Sequence, residues 1–177
     1  MLAIELGMDV IDHCDEMDEE VIAALVETGT FVAPSIYFPK VAASLMAPSR
    51  PGLAADMRRG ILSMWDILPK ADAAGVRLVL GDDYGGRSLP HGSFGPEFRT
   101  YVEDAGIAPL SLIRWATRHG AELIRRGDEL GTIAAGKIAD LLVIDGDPSV
   151  DIGAIADAKP LVVLKGGEVV AGALPEN

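Results

Sequence analysis

The sequence has little cysteine and little histidine, and these shortages exclude two classes of protein. Cys14 is the single cysteine among 177 residues, so an intramolecular disulfide is impossible. With three histidines, the chain also has no cysteine and histidine spacing of the kind that forms a structural zinc module. This content suits a reducing compartment, and we expect the protein to be cytoplasmic.

Positive charge is also scarce. Fifteen lysine and arginine residues face 27 aspartate and glutamate residues, which gives a formal net charge of -12. Nucleic acids and anionic membrane surfaces would be repelled by most of such a molecule, and we expect neither as a partner. The apolar start of the chain is interrupted by Glu5 and is too short for a signal segment or a membrane span.

What the sequence does contain is enough apolar material for a packed core. Hydrophobic residues make up 49% of the chain, and the mean hydropathy is +0.28. The length is comfortable for a compact domain. The composition therefore predicts a globular protein rather than a disordered one.

The first half of the chain alternates between strand and helix patterns. Short apolar runs at 8–11, 31–37 and 76–80 predict buried strands. Between them, an acidic stretch and a glycine stop predict a helix over 15–29, and apolar residues at helical spacing predict another over 54–74. This order is typical of a parallel α/β sheet, whose functional residues lie at the carboxyl ends of the strands.

The second half changes from helices to short strands. The pattern predicts helices over 97–105 and 109–125, and β segments at 137–144 and 161–170. The last segment contains Gly166-Gly167 and resembles a hairpin. A small β appendage is therefore expected at the end of the chain.

Two side chains follow predicted strands, in the positions where a parallel sheet places its functional groups. His13 follows the first strand and Asp83 the third. Taken alone, each has two interpretations: a hydrogen-bonded structural residue, or a metal ligand. The neighbouring Asp82 and Asp83 form a like-charge pair that is costly to bury, and a nearby cation would relieve that cost.

Four motifs extend these observations to a known family. Residues 9–14, 78–83, 115–121 and 131–145 resemble, in order and spacing, the closing third of metal-dependent amidohydrolases. The resemblance is to the imidazolonepropionase-like and prolidase-like branch. It implies an α/β fold: the C-terminal part of a (β/α)8 TIM-type barrel, with about three parallel strands and their helices, plus the terminal strands of a small β-sandwich.

The same resemblance divides the chain into two parts. Residues 1–126 correspond to a partial amidohydrolase barrel, made of its last three βα units. Residues 127–177 correspond to a C-terminal β-sandwich segment, which contains the turn motif Gly-Lys-Ile-Ala-Asp at 136–140. This turn motif is specific to the superfamily, and its role there is structural.

The resemblance also assigns roles to the two strand-end residues. The sequence ending in Asp12-His13-Cys14 looks like the family's Ile-Glu-His-Gly motif, so His13 is implied as a metal ligand. Asp83 aligns with the aspartate of the family's Gly-Thr-Asp motif, which ligates metal and takes the proton from the attacking water. Here Asp82 stands in place of the threonine, and Cys14 in place of the glycine.

The implied cofactor is a divalent metal ion, with zinc expected and one or two ions in a complete enzyme. Such an ion lowers the pKa of its bound water to about 7 and polarises the substrate carbonyl. The implied reaction is hydrolysis of a carbon-nitrogen bond in a small-molecule amide, cyclic amide or dipeptide. Asp83 is then expected to move the proton to the leaving nitrogen.

Three further residues are candidates for contacting the substrate. His91 lies in a stretch similar to one after the eighth strand of the family's dipeptidase and imidazolone branch, but a glycine-rich surface loop explains it equally well. Tyr37 and Arg87 are also substrate-binding candidates, and Arg87 can pair with a carboxylate in a forked geometry. Both have the alternative interpretation of solvated loop residues.

The family's earlier ligands have no counterpart in the chain. A catalytic zinc ordinarily has three protein ligands, whereas His13 and Asp83 supply two. Three strands also cannot close a barrel, which leaves an unpaired sheet edge. We therefore expect a fragment that is inactive alone and that self-associates or lacks its amino-terminal half. The alternative is a non-catalytic α/β domain that oligomerises or complements a separate amino-terminal chain.

Overall fold

A computed structural model describes residues 1–81, 83–86, 89–157 and 159–173. The first part of the chain holds α1 (Leu2–Glu5), β1 (Val10–Asp12), α2 (Glu19–Thr28), β2 (Phe31–Ala33), α3 (Tyr37–Met46), α4 (Pro51–Ala74) and β3 (Arg77–Leu78). The second part holds α5 (Gly95–Arg99), α6 (Pro109–Arg114), α7 (Gly120–Leu123), β4 (Leu141–Val143), α8 (Gly153–Ala156), β5 (Val162–Lys165) and β6 (Glu168–Gly172). Wider π-helical turns extend α5 over Thr100–Asp104 and join α6 to α7 over Trp115–His119.

The first sheet is parallel, with β2 between β1 and β3. Asp12 is paired with Ala33, and Val32 with Leu78. The three strands therefore end close together at one edge, with the exits of β1 and β3 on either side of the exit of β2. Val32 is fully buried, whereas β1 is half-buried to exposed.

Helix α2 has the signals that the sequence predicts at both ends. Asp18 caps its start by accepting the backbone N–H of Val21 at 2.9 Å, which satisfies one of the free donors of the first turn. Glu19 and Glu20 then face the positive end of the helix dipole. The helix stops at Gly29, whose left-handed backbone (φ 68°) accommodates glycine without strain.

The predicted strand 31–37 is too long. Strand β2 ends at Ala33 because Pro34 follows, and proline has no N–H to donate to the ladder. Tyr37, predicted at the end of this strand, is instead the first residue of α3. Helices α3 and α4 then pack against each other before β3 returns to the sheet.

An aromatic pair fills the centre of the core. Tyr101 and Trp115 are fully buried, and their rings meet edge to face with centroids 5.6 Å apart, an arrangement that aromatic pairs favour. The indole N–H of Trp115 donates to Asp72 at 2.9 Å. Both aromatic residues lie on the π-helical turns, and they belong to the same core cluster as Val32 of β2 and Leu78 of β3.

The second sheet is antiparallel, in the order β4-β5-β6. Strands β5 and β6 form the predicted hairpin around Gly166 and Gly167, which both have positive φ. Asp140, just before β4, accepts hydrogen bonds from the Lys165 ammonium and from the Gly166 N–H. These contacts fasten the first strand to the hairpin turn.

The predicted fold class is confirmed: a three-stranded parallel sheet with helices, followed by a small antiparallel sheet. Among the described residues, β1 and β3 each pair with β2 alone, so both are edge strands. Helix α8, from the predicted segment 127–177, packs against α5, from the predicted segment 1–126. The boundary at residue 126 remains a prediction. Of the described helices, none has the length and apolarity needed to cross a bilayer.

Candidate active site

The first side of the candidate site is the exit of β1. His13 continues the strand ladder by donating its backbone N–H to the Ala33 carbonyl at 3.0 Å. The chain then turns sharply, because His13 and Cys14 both have left-handed backbones (φ 68° and 57°). Glycine adopts this conformation most easily, so Cys14 occupies a position where the family's glycine fits without strain. The turn leaves the His13 side chain exposed at the carboxyl end of the sheet.

Cys14 itself is half-buried, and its side chain packs against the core. Desolvation by burial raises the pKa of its thiol, and the nearby charge of Asp15 acts in the same direction. The thiol therefore favours its neutral form and behaves as a small packing group rather than as a nucleophile.

The opposite side of the candidate site is the exit of β3. A Cβ atom on Gly81 would lie 2.5 Å from the Pro34 carbonyl oxygen and 3.0 Å from that of Ala33. Glycine is therefore required for the close approach between the exits of β3 and β2. Asp83 follows with a positive φ of 55° and an exposed side chain. Its neighbour Asp82 lies outside the described residues.

His13 and Asp83 line the same cleft. It has a volume of about 340 Å³ and lies where the three parallel strands end. Its walls are formed by Asp12, His13, Ala33, Ser35, Leu80, Gly81 and Asp83. The structure thus brings together two candidate residues that are 70 positions apart in the sequence.

A second cleft, of about 410 Å³, adjoins the first and also contains His13 and Asp83 in its wall. The rest of its wall combines carboxylates with apolar side chains. The carboxylates are Asp15, Glu16 and Asp56, and the apolar side chains include Phe38, Met57, Ile61 and Met64. His13 and Asp83 therefore lie at the junction of two spaces of small-molecule size.

The buried side chain of Glu97, on α5, binds the backbone segment that follows β2. Its carboxylate is fully buried and accepts the backbone N–H groups of Ile36 at 2.9 Å and Tyr37 at 3.1 Å. These donors belong to the first turn of α3, where backbone N–H groups have no partner within the helix. Glu97 therefore caps α3 from a distant part of the chain.

Tyr101, one turn after Glu97, supports the same segment. Its hydroxyl donates to the Pro34 carbonyl. Burial raises the pKa of Tyr101 well above its ordinary value, and the Glu97 carboxylate raises it further. The phenol is therefore a neutral donor, and together with Glu97 it fixes the path of the chain beside the cleft.

Glu97 and Ser35 are residues of the site region to which the sequence assigned no role. A glutamate near the start of a helix is ordinary, so the pattern around Glu97 gives no signal of its burial. Ser35 follows a proline at a strand end and has the pattern of a turn. Both roles depend on contacts between segments that are far apart in sequence.

The three predicted substrate-binding residues have different outcomes. Tyr37 is half-buried and His91 is exposed, with its ring next to Gly85. Neither contributes to the walls of the two clefts described above. Arg87 lies outside the described residues. All three assignments remain predictions.

His119, the third histidine, contacts the sheet rather than the cleft. Its Nδ1 atom is hydrogen-bonded to the carbonyl of Leu78 at 2.7 Å. The contact joins the π-helical turn of residues 115–119 to β3. His119 therefore has a structural contact within the described residues.

The described residues of the cleft include two donors of the types that zinc takes. An imidazole nitrogen and a carboxylate oxygen are donors that zinc takes, and the exposed side chains of His13 and Asp83 offer them on one cleft. Within the ranges that the structure describes, no three His, Cys, Asp or Glu side chains converge to hold an ion. The donor types suit a metal ion, and the assignment of His13 and Asp83 as its ligands stays a prediction.

Comparison with known proteins gives the family. Residues 3–171, which are nearly the whole of this chain, match the Amidohydrolase family. The chain belongs to this family, which confirms the resemblance seen in the sequence motifs.

Proteins similar to this chain include an imidazolonepropionase, a Xaa-Pro dipeptidase and a prolidase. The imidazolonepropionase of Chromobacterium violaceum is 28% identical over 144 residues, which are 81% of this chain and 30% of that protein. The structure of a Xaa-Pro dipeptidase with bound methionine in the active site is 32% identical, with a TM-score of 0.82, over 96% of this chain and 41% of that one. A prolidase complexed with N-methylphosphonate-L-proline is 32% identical, with a TM-score of 0.81, over 97% of this chain and 42% of that one.

The chain spans under half of the length of each of these relatives. Their covered shares are 30%, 41% and 42%. Most of this chain therefore corresponds to only a part of each relative.

Proposed function

We propose that this chain is the C-terminal part of a metal-dependent hydrolase of carbon-nitrogen bonds. In this proposal, His13 and Asp83 are metal ligands, and Asp83 also carries the proton. The observation that supports it is the common cleft of the two side chains at the carboxyl ends of β1 and β3. Membership of the Amidohydrolase family, whose members are generally metal-dependent, supports the same conclusion.

The chemistry follows from the groups at the cleft. A divalent ion, which we propose to be zinc, would when bound supply hydroxide near neutral pH and polarise the substrate carbonyl. Asp83 accepts the proton of the attacking water and delivers it to the leaving nitrogen. This delivery is necessary because an amine anion is a poor leaving group. His13, at the opposite wall, holds the ion by its imidazole.

We propose a small-molecule amide, cyclic amide or dipeptide as the substrate. The two adjoining clefts, of about 340 and 410 Å³, have the dimensions of small-molecule sites. Tyr37, His91 and Arg87 are the proposed substrate-contacting residues of the surrounding loops. The excess of acidic residues favours such a substrate over nucleic acid.

The partner in this proposal is an amino-terminal half that supplies the remaining strands and ligands. Strands β1 and β3 both present an unpaired edge within the described residues. Exposed strand edges pair readily with another chain, so the isolated polypeptide is expected to self-associate. The second candidate function is that of a non-catalytic domain, which oligomerises through the same edges.

The test compares the 177-residue chain alone with the chain combined with an amino-terminal half that carries the missing ligands. Both forms are loaded with zinc or manganese and assayed for dipeptide hydrolysis. We expect no turnover by the chain alone and turnover by the combination. Asp83→Asn should lower that turnover by several orders of magnitude, and His13→Ala should lower the metal content measured by elemental analysis.

The contrary outcomes are equally specific. Turnover by the isolated chain, abolished by Asp83→Asn, would show that the ligand set is complete without a partner. Normal turnover by the Asp83→Asn variant in the combined protein would refute the proton-carrying role. A sharply melting oligomer of one defined size, without metal affinity, would favour the non-catalytic domain.

A further inference from the structure

Ser35 has an unusual environment for a buried serine. The residue is 2% exposed, and its hydroxyl has no hydrogen-bond partner among the residues that the structure describes. A buried hydroxyl without a partner loses its hydrogen bonds to water and gains nothing in exchange. Such groups are rare in folded proteins, and each one calls for a physical reason.

The position of Ser35 suggests that reason. It follows β2, the central strand, and lines the cleft that also contains His13 and Asp83. Because β1 and β3 flank β2, Ser35 lies between the exits that carry the two proposed metal ligands. A ligand in the cleft therefore lies beside Ser35 and beside both proposed metal ligands.

The segment that holds Ser35 is fixed on both sides of it. The Pro34 carbonyl accepts the Tyr101 hydroxyl, and the Ile36 N–H donates to Glu97. The backbone at position 35 is therefore held in place by buried groups on a different helix. Rotation about χ1 places the hydroxyl oxygen, and rotation about the Cβ–Oγ bond directs its hydrogen, so the short side chain can be aimed at a ligand with little loss of entropy.

The chemistry of the cleft selects the kind of partner. Asp12 and Asp83 are acceptors when ionised and cannot donate to a carbonyl oxygen. When the imidazole of His13 binds the metal, it is not free to contact the substrate. Among the described residues of the cleft wall, Ser35 is then the one whose side chain has a hydroxyl to donate. We propose that the Ser35 hydroxyl donates a hydrogen bond to the carbonyl oxygen of the amide substrate. This inference rests on the function proposed above.

The test uses Ser35→Ala and Ser35→Thr, with Thr30→Val as the matched control. Thr30 precedes the same strand at its opposite end and is 5% exposed. In contrast to Ser35, its hydroxyl has partners, the Met8 carbonyl at 3.3 Å and the Thr28 hydroxyl at 2.9 Å. Both positions therefore hold a buried hydroxyl beside β2, and they differ in whether that hydroxyl is already bonded.

Thermal unfolding of the 177-residue chain is the first measurement. Ser35→Ala removes an unbonded buried hydroxyl, so its midpoint should equal or exceed that of the wild type. Thr30→Val should lower the midpoint by roughly 2 °C or more, because it breaks existing hydrogen bonds. A loss for Ser35→Ala as large as that for Thr30→Val would overturn the proposal, since the hydroxyl would then have an internal partner.

Steady-state kinetics of the chain combined with its amino-terminal half is the second measurement. Ser35→Ala should lower kcat/KM by about tenfold to a hundredfold, as expected for a lost substrate hydrogen bond in a buried site. Ser35→Thr, which retains the hydroxyl, should recover most of that loss, and Thr30→Val should leave kcat/KM unchanged. An unchanged kcat/KM for Ser35→Ala would overturn the proposal.

Asp83→Asn, assayed in parallel, separates this inference from the proposed function. If Asp83→Asn is inactive while Ser35→Ala retains the wild-type kcat/KM, the serine assignment alone is wrong. If Asp83→Asn retains full activity, the proposed function is wrong, and the role of Ser35 is refuted with it.

Discussion

The backbone N–H of Tyr37 donates to the buried carboxylate of Glu97 at 3.1 Å, although the two residues are 60 positions apart in the chain. The Ile36 N–H donates to the same carboxylate. One buried side chain therefore satisfies two donors at the start of α3, next to the cleft. This contact ties the geometry of the candidate site to a helix that contributes no residue to the cleft wall.

Replacement of Glu97 by alanine is expected to destabilise the protein. The substitution leaves two backbone donors without their acceptor, and hydrogen bonds to charged groups are worth about 1.5–3 kcal/mol each. Glu97→Gln retains one side-chain carbonyl and should lose less. Chemical denaturation followed by circular dichroism measures both variants, and an Ala variant as stable as the wild type would contradict the capping role.

Glu103→Gln is the matched control for this prediction. Glu103 lies on the next turn and pairs with Arg99, but its side chain is 52% exposed. Exposed ion pairs contribute about 0–1 kcal/mol to stability. The control should therefore be close to the wild type in the same denaturation experiment.

Gly81→Ala is predicted to disrupt the junction between the exits of β2 and β3. The added methyl group would lie 2.5 Å from the Pro34 carbonyl oxygen, and the backbone there cannot yield as a flexible side chain would. Overpacking of this kind typically costs about 1–3 kcal/mol. A lower unfolding midpoint in urea, together with a lower affinity for zinc at the proposed ligands His13 and Asp83, is the expected result.

Gly60→Ala is the control glycine substitution. Gly60 lies within α4. Apart from the neighbouring backbone of the helix itself, no atom lies within 4 Å of a Cβ added there. Alanine is favoured over glycine inside a helix by about 0.5–1 kcal/mol. This variant should therefore be slightly more stable than the wild type. Equal losses at both glycines would refute the close-approach explanation.

The Asp140 carboxylate should make stability depend on pH in the acid range. Hydrogen bonds from the Lys165 ammonium and the Gly166 N–H lower the pKa of Asp140. The stability that these hydrogen bonds give to the folded state is therefore fully present above the unfolded-state pKa of about 3.9. It is lost as the pH falls through the lower folded-state pKa. Asp140→Asn should lose less stability than the wild type upon acidification through this window.

The partner variant Lys165→Met tests the cause of this pH dependence. It removes the ammonium that contributes most to the lowered pKa of Asp140. Its thermal midpoint should therefore also vary less with pH than that of the wild type. The double variant Asp140→Asn/Lys165→Met should have nearly the same pH dependence as either single variant. Parallel profiles of midpoint against pH for all proteins would disprove the assignment.

Arg125→Gly is expected to stabilise the chain. Arg125 follows α7 with a left-handed backbone (φ 59°) and a side chain that is 83% exposed. A non-glycine residue in this conformation costs about 1–2 kcal/mol, which exceeds the entropic cost of glycine. Thermal unfolding should show a higher midpoint for Arg125→Gly.

Arg126→Gly is the comparison for that substitution. The Arg126 side chain donates to Glu129 at 2.7 Å, and its φ is not among the positive values of the described residues. Glycine there gains no relief of strain and removes a contact, so the midpoint should fall. The same shift for both arginines would mean that the backbone conformation at position 125 is not the cause.

Local patterns were sufficient to predict most of the secondary structure. The acidic start and glycine stop of α2 act within single turns of the chain, so the sequence contains the complete signal. The same holds for the hairpin at Gly166 and Gly167. Prediction failed at the end of β2, where Tyr37 begins a helix, because the cap that starts this helix is Glu97 from elsewhere in the chain.

The sequence by itself determined the family and the order of strands and helices, because motif spacing and periodicity are properties of the chain alone. It also predicted His13 and Asp83 as metal ligands. Tertiary structure decided which of these residues meet. The parallel register of three strands places His13 and Asp83 on one cleft, and the buried contacts of Glu97 and Tyr101 place Ser35 between them. Such contacts depend on packing between distant segments, for which a single sequence holds no local signal.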